Sequence, residues 1–470
     1  MKMNNHCSVS GLVYRGLALA GAVNLCLLPS TALAAGSALS DQPRPMQIDS
    51  VPERVRPILE IGDTFLGAGN ISPGITLPTG AVWQPNLIVW GELRTSIDYI
   101  DLEYDASGDD ESSAWAYRAD LYGQLSLSQT DRIVVGVRNF SDDSVAEEGG
   151  FPGRIFDPDS TSNEGEFDVS LAFMELNLAE LFPRVRTSGQ RRALDLDLAF
   201  GRQLVFAQEG MIANDFMDSV ALSRNNISIP GGNTTRVSLF YAWNEVNRVN
   251  NQEDDDAQFF GLFTETDFPK STVSLDIVGI EGDDTEDGIW LGLSAVQRIG
   301  KINTAFRLVH SEPLDDDGPF TTDGTLLVSE VNWQPVKTLD NVYVNVFWGI
   351  DDYQPASRGD LTGNALGLVG ISFAGVGLGG YGAALDSDAI ESFGGAIGYQ
   401  KFFANNRRQV IVELGGREST DDLERAQAAI AARFQQAIGN RFVLRLDGFL
   451  VKREDLNEGW GARTELQVKF

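Results

Sequence analysis

Along most of this chain, apolar and polar residues alternate with a period of two, in segments of about ten residues that are separated by turns. The last segment shows the pattern best. From Trp460 to Phe470 the even-numbered positions are apolar or small, and the odd-numbered positions, apart from Gly461, are polar or charged. Because successive side chains of a strand point to opposite faces, this alternation predicts strands that separate an apolar environment from a watery one.

The number of these segments and the lengths of their connections predict the architecture. We count about 18 strands, with 16 or 20 as alternatives where the glycine-rich stretch 366–384 is hard to divide. Short connections such as 300–301 alternate with long ones, as hairpins that cross a membrane require. The alanine-rich stretch 425–438 would pass for a helix in isolation, but its place between two clear strands favours a strand. The predicted fold is an all-β, transmembrane, antiparallel up-and-down β-barrel over 83–470.

A soluble β-sandwich is the main alternative fold, since a sheet packed on a core gives the same period. An export signal, an aromatic C-terminal strand and aromatic residues near strand ends, which suit the interfacial girdles of a membrane barrel, favour the barrel. No later apolar stretch resembles a membrane helix, and strands that span a membrane must close on themselves. The aromatic residues are Tyr99, Trp115, Trp243, Trp348, Tyr399 and Trp460.

The N-terminal region has the pattern of a secretory signal. Lys2 and Arg15 precede an apolar run over 16–28, and the small residues Ala32 and Ala34 form a cleavage site. The apolar run is shorter than the roughly 20 residues of a spanning helix. We therefore predict a cleaved signal peptide over 1–34. The Pro- and Gly-rich segment 35–82 is interpreted as an extended N-terminal segment in the periplasm or in the barrel lumen.

Composition excludes several kinds of chemistry. Cys7, Cys26 and His6 all lie in the predicted signal, so the remaining chain has no cysteine and His310 is its only histidine. Disulfides, thiolate metal sites and multi-histidine metal sites are excluded, and no cofactor is predicted. The formal net charge of −31, from 36 Lys and Arg against 67 Asp and Glu, argues against nucleic acid as a partner.

The closing run RTELQVKF, at 463–470, resembles the C-terminal signature of outer-membrane proteins, in which alternating apolar positions lead to an aromatic end residue. The resemblance implies that the protein lies in the outer membrane of a Gram-negative bacterium, in contact with membrane lipid and lipopolysaccharide. It also implies that Phe470 is the assembly signal that the barrel-assembly machinery reads.

A second resemblance concerns GELRTSIDYI at 91–100 and LAFGRQLVFAQEG at 198–210. These runs resemble the alginate-export family of outer-membrane barrels and related porins. The resemblance implies a family motif of Gly201, Arg202 and Gln203 and, loosely, Asp218. Alternation places Arg202 on the outward side with Phe200, and a bulge at Gly201 would turn it back inward.

Strand parity predicts a charged inner wall on the last four strands and the first two, which become neighbours when the barrel closes. Two interpretations stay open: paired charges that stabilise the wall of a wet barrel, or guanidinium groups that attract carboxylate-bearing solutes and set selectivity. Arg307 and Arg236 could extend this wall. The predicted pore-lining cations are Arg94, Arg118, Arg417, Arg433, Arg445, Arg463 and Lys469, and the acids are Glu92, Asp98, Asp120, Glu413, Asp447 and Glu465.

The acid runs and His310 are two further candidates, for a metal site and for a catalytic site. The acid runs at 109–111, 253–256, 283–287 and 315–317 are either solvated loop tips or calcium or magnesium sites that bridge lipopolysaccharide. None has the ligand spacing of an EF-hand, so no metal is assigned. A hydrolase would need His310 beside Ser311 or Glu312, but alternation turns His310 toward lipid, and no enzymatic activity is predicted.

These patterns together predict the function of a porin-like outer-membrane channel. Hydrophilic solutes, including anionic or saccharide solutes, would diffuse through its lumen. The alternative is an exporter of an anionic polysaccharide, similar to the alginate-export family and dependent on periplasmic partners.

Overall fold

The computed structural model describes residues 55–62, 74–102, 111–140, 166–185, 194–248, 253–254, 256–282, 287–314, 320–359, 364–375, 378, 381–420 and 426–470. Within them, 18 antiparallel strands form a closed barrel, which confirms the predicted fold class. Each strand pairs with the next strand in the chain, and the last pairs with the first from Lys469↔Glu92 to Trp460↔Asp101.

Most strands are segments of alternating polarity, and the alanine-rich stretch is among the strands as predicted. They are β1 (Asn86–Asp101), β2 (Glu111–Ser126), β3 (Arg132–Phe140), β4 (Glu166–Asn177), β5 (Asp197–Ala207), β6 (Ala213–Ile227), β7 (Thr234–Trp243), β8 (Gln258–Asp267), β9 (Ser271–Glu281), β10 (Gly288–Ile299), β11 (Ile302–Pro313), β12 (Gly324–Trp333), β13 (Asn341–Tyr353), β14 (Ser392–Phe403), β15 (Arg408–Ser419), β16 (Gln427–Ile438), β17 (Phe442–Arg453) and β18 (Glu458–Lys469).

Short elements lie between these strands and before them. Pairing joins Leu59–Ile61 to the start of β1, Ile75–Thr76 to Val82–Trp83, Val246–Asn247 to Glu253–Asp254, Ser357–Arg358 to the start of β6, and Ala389–Ile390 to the end of β13. The helical turns are Leu178–Leu181, Gln208–Gly210 and Ala365–Leu368. No helix in the described part of the chain is both long enough and apolar enough to span a membrane, a result that has no bearing on strands.

The outer surface of the barrel is an apolar band. Leu293, Leu308, Val346, Leu414 and Leu450 belong to five different strands, and all have exposed side chains on the face that points away from the lumen. Large apolar side chains left in water over a closed surface would be costly. The band therefore suits strands that cross a bilayer with their outer face in hydrocarbon.

The glycine-rich stretch 366–384 contributes no strand among its described residues. It lies in the connection between β13 and β14, and the helical turn Ala365–Leu368 overlaps its beginning. Leu366, Val369 and Phe373 are fully buried there, which gives the barrel an apolar core at this point inside its wall. The strand count is therefore 18 rather than 16 or 20.

Phe470 lies where the barrel closes. Its N–H donates to the Gly91 carbonyl at 2.9 Å, and the Gly91 N–H donates to the Phe470 carbonyl at 2.7 Å. A Cβ atom at Gly91 would stand 2.8 Å from the Phe470 ring and 2.5 Å from the Asp120 carbonyl oxygen. Glycine at this position lets the terminal ring lie against the first strand.

We expect Gly91→Ala to destabilise the closed barrel by about 1–3 kcal/mol, since the added methyl group would overpack the seam. The measurement is the temperature at which the folded band on a gel converts to the unfolded band. Gly123→Ala is the matched control, because a Cβ at Gly123 on β2 meets no atom within 4 Å. Equal shifts for the two variants would contradict this account of the seam.

Candidate functional site

Two connections on the same side of the barrel fold into its interior. The first, 208–212, joins β5 to β6, and the second joins β13 to β14 and is described at 354–359, 364–375, 378 and 381–391. They hold each other, because the Ala356 N–H donates to the Ile212 carbonyl at 2.8 Å. The interior is therefore narrowed from this side by packed, hydrogen-bonded chain. We call the second connection the inner loop.

Glu413, on the inner face of β15, holds the inner loop. Its fully buried carboxylate accepts the N–H of Ile371 at 2.9 Å, the N–H of Ser372 at 2.8 Å and the Ser372 hydroxyl at 2.6 Å. The Tyr343 hydroxyl also donates to it. Hydrogen bonds to an ionised acceptor are about twice as strong as neutral ones, so this cluster is a firm attachment.

Arg417 and Arg463 hold the same loop at two other points. The Arg417 guanidinium donates to the Asp386 carbonyl at 2.9 Å and pairs with the Asp388 carboxylate at 2.9 Å. The Arg463 guanidinium donates to the Leu378 carbonyl at 3.4 Å.

The prediction that Glu413, Arg417 and Arg463 line the pore needs correction. All three are on the inner face of the wall, as parity predicted, but the inner loop covers them and leaves them buried. Alternation along a strand sets the face on which a side chain lies. It carries no information about a loop that later packs against that face.

The shorter connection is fitted to the wall in a similar way. The Gln208 side chain donates to the Asp276 carboxylate at 2.8 Å, and a Cβ atom at Gly292 would stand only 2.6 Å from that glutamine side chain. Arg358, from the inner loop, donates to the Gly210 carbonyl. Burial lowers the pKa of Arg358 to about 10, so its guanidinium is still charged at neutral pH.

Beside the inner loop, charged side chains of six adjacent strands, β16 to β18 and β1 to β3, form a network on the inner wall. At its centre the Glu465 carboxylate lies 2.9 Å from Arg94, 3.1 Å from Arg463 and 3.5 Å from Arg445. Arg94 and Glu465 are 371 positions apart in the chain. Their contact exists only because β18 pairs with β1.

Two other buried carboxylates repeat the arrangement. Asp447 lies 2.8 Å from Arg463 and also pairs with Arg433. Asp120 lies 2.8 Å from Arg118 and also pairs with Arg138. Each buried acid of the network therefore contacts at least two guanidinium groups. We call Arg94, Arg118, Arg138, Arg433, Arg445 and Arg463 the arginine wall.

The acids of the network lie deeper than most of its cations. The side chains of Glu465, Asp447 and Asp120 are 2 %, 4 % and 0 % exposed, whereas those of Arg433 and Arg445 are 19 % and 24 % exposed. Around these three carboxylates, the guanidinium groups of Arg433 and Arg445 are therefore the more accessible charges, and Glu92, beside Arg118, is the accessible acid at 26 % exposed.

Arg138 is a member of the network that sequence reasoning missed. It is paired in register with Asp120 across β2 and β3. The alternation around it is weak, because valines occupy both faces of β3 and the register shifts between Gly136 and Val137. The sequence did offer one signal. If β2 and β3 form a hairpin around the short turn 127–131, Arg138 falls opposite the acidic Asp120.

The remaining predicted members of the wall are near the network. Glu92 lies 3.7 Å from Arg118, and Asp98 is buried opposite Arg463 in the β1–β18 register. Lys469 is exposed at the end of β18. That Glu92 and Lys469 line a conducting pore stays a prediction. Asp98, like Asp120, Asp447 and Glu465, is buried within the wall.

Arg307 and Arg236 lie on other parts of the wall. Arg307, on β11, pairs with Glu330 and is 3.7 Å from Glu209 of the shorter connection. Arg236, on β7, is exposed and 3.9 Å from Glu265. They do not extend the arginine wall, because several strands separate them from it.

The prediction that a bulge at Gly201 turns Arg202 inward is wrong. Pairing of β5 with β4 and β6 runs through Gly201 and Arg202 without a register shift, so Arg202 stays on the outer face. There it pairs with Glu245 and lies opposite Asp218. Gln203 is on the inner face and donates to the Ser219 hydroxyl at 2.9 Å. Gly201 takes a positive φ of 118° instead of forming a bulge.

Aromatic side chains cluster on a different part of the inner wall. Phe240 on β7 contacts Phe259 and Phe263 of β8, with ring centroids 5.9 and 6.2 Å apart. Because these strands are distant from the arginine wall in the strand order, the lumen has an apolar side and a cationic side.

Solved outer-membrane structures share this barrel. OpdQ of Pseudomonas aeruginosa matches with a TM-score of 0.54 and 12% identity over 82% of this chain and 97% of its own. OpdK of P. aeruginosa, solved with vanillate, matches with a TM-score of 0.52 and 11% identity over 81% of this chain and 98% of its own. OccAB3 of Acinetobacter baumannii matches with a TM-score of 0.52 and 11% identity over 81% of this chain and 99% of its own.

At sequence identities of 11–12%, these matches show that the fold is shared and nothing more. The sequence matches no protein-family model and no curated protein. The alginate-export resemblance gains no support from the similar structures, and its Arg202 lies outside the lumen.

Proposed function

We propose that the protein is an outer-membrane channel through which hydrophilic solutes diffuse, and that its arginine wall favours solutes carrying a carboxylate. The observation that carries the proposal is the arginine wall itself: six guanidinium groups contact three buried carboxylates inside a closed barrel. The apolar outer band and the similarity to solved outer-membrane structures support the location.

The chemistry of the wall fits this class of solute. A guanidinium group has five N–H donors in a planar fork that matches a carboxylate. The buried acids keep the arginines in place, and the partly exposed edges of Arg433 and Arg445 remain turned to the lumen. A passing carboxylate can therefore exchange from one guanidinium to the next, which binds it weakly enough to leave again.

The apolar side of the lumen favours organic carboxylates over small inorganic anions. The partly exposed rings of Phe240 and Phe263, which pack on and beside the buried Phe259, offer a surface on which the carbon skeleton of a solute can lie. OpdK, a similar structure, is known with vanillate, an aromatic carboxylate.

The test is solute flux into liposomes that contain the purified protein. Glucuronate and glucose are similar in size and differ in one carboxylate, so we expect glucuronate to enter faster. The double variant Arg433→Ala and Arg445→Ala should reduce that preference, since each interaction with a charged group accounts for about 1.5–3 kcal/mol. Arg441→Ala is the matched control, because Arg441 lies in the exposed turn after β16.

Two outcomes would contradict the proposal. Equal rates for both solutes would remove the carboxylate preference. No flux of either solute would favour the alternative of a polysaccharide exporter, which conducts only with its periplasmic partners.

A further inference from the structure

A histidine and two carboxylates meet on the outer face of the barrel. His310 and Glu312 are on β11, and Asp323 precedes β12. The His310 Nε2 atom is 3.3 Å from the Glu312 carboxylate, and its Nδ1 atom is 4.0 Å from the Asp323 carboxylate. One ligand atom from each residue lies within 4.8 Å of the other two.

The imidazole is oriented as in a metal ligand. Its Nδ1 atom is 2.9 Å from the Gly324 carbonyl oxygen, an acceptor that requires the proton to be on Nδ1. In the neutral ring that binds a metal, the lone pair is then on Nε2, and this is the nitrogen beside Glu312. Metal-binding histidines typically donate their other ring N–H to a carbonyl in this way.

The negative charges of Glu312 and Asp323 have no lysine or arginine partner in the described part of the chain. Their neighbours on the outer face are apolar, since Leu308 precedes His310 on that face and Leu291 lies opposite it. Both carboxylates are therefore open to a cation from solution, with no protein cation already paired to them.

We propose that His310, Glu312 and Asp323 bind a divalent transition metal ion of the zinc class at the outer rim of the barrel. One imidazole and two carboxylates are ligands that zinc accepts, and water or a phosphate oxygen would complete the coordination. Calcium and magnesium prefer oxygen ligands alone, so the histidine distinguishes the two classes. The ion would join the ends of β11 and β12 across the connection between them.

The site is accessible to ions from solution. The side chains of Glu312 and Asp323 are each 58 % exposed, and that of His310 is 30 % exposed. No movement of the barrel is needed for entry.

The test is calorimetric titration of the purified, chelator-treated full chain with zinc chloride in phosphate-free buffer. We expect one site, and we expect His310→Ala, Glu312→Gln and Asp323→Asn each to weaken it about tenfold or more. Glu281→Gln is the matched control, because Glu281 is an exposed acid on the outer face at the same end of β9. It should bind zinc as the parent does.

Nuclear magnetic resonance tests whether zinc contacts His310 itself, independently of how strongly a variant binds. Zinc should shift the ring resonances of His310, which are assigned by their loss in His310→Gln. Heat-modifiable migration on a gel shows that each variant is folded. Zinc binding unchanged in His310→Ala, no binding, or calcium binding as tightly as zinc would overturn the proposal.

Discussion

Replacing Glu413 by alanine is expected to release the inner loop and raise the single-channel conductance. The substitution leaves the N–H groups of Ile371 and Ser372 and the Tyr343 hydroxyl without their buried acceptor. With hydrogen bonds to a charged group at about 1.5–3 kcal/mol each, docking of the loop should weaken by on the order of 3 kcal/mol or more. Recordings in planar bilayers should therefore show larger and noisier open levels.

A graded series makes this prediction specific. Glu413→Gln keeps one acceptor oxygen and should give an intermediate conductance. Glu418→Ala is the matched control, since Glu418 lies on the same strand with the opposite parity. Conductance equal to that of the parent in a folded Glu413→Ala protein would show that the inner loop does not narrow the lumen.

Replacing Arg463 by leucine is expected to cause the largest loss of stability. Its guanidinium is fully buried between Asp447 and Glu465, which lie 2.8 and 3.1 Å away. Removing one member of a buried ion pair costs about 3–5 kcal/mol, because the remaining charge stays buried. The midpoint of unfolding in guanidinium chloride should fall accordingly.

A second substitution tests the cause of that loss. Adding Asp447→Asn to Arg463→Leu removes one of the two carboxylates left behind, and part of the lost stability should return. Arg441→Leu, in an exposed turn, should leave the midpoint unchanged. Asp447→Asn is also measured alone, in the parent protein. If it lowers the midpoint of Arg463→Leu by as much as it lowers that of the parent, burial of an unpaired charge is not the cause of the loss.

Much of the barrel could be predicted from local pattern. Alternation over ten residues is a property of neighbouring positions, so it locates strands such as β18 and assigns Arg94 and Glu465 to the same inner wall. Closure then follows from the constraint that membrane strands leave no free edge. The arginine wall was largely predictable for this reason.

The inner loop could not be predicted in the same way. Leu366, Val369 and Phe373 have no regular spacing, and the glycines around them fit both turns and weak strands. Their burial depends on contacts with Glu413 and other residues that are far away in the chain. Arg202 shows a related limit, since pairing in register decided its face and the sequence allowed either one.

The reversal potential across a salt gradient tests most directly whether the arginine wall sets the selectivity. In planar bilayers the parent protein should be anion-selective. The triple variant Arg94→Gln, Arg433→Gln and Arg445→Gln should shift the reversal potential toward cation selectivity, while Arg441→Gln should not. A parent channel that prefers cations, or a folded triple variant with an unchanged reversal potential, would contradict the account.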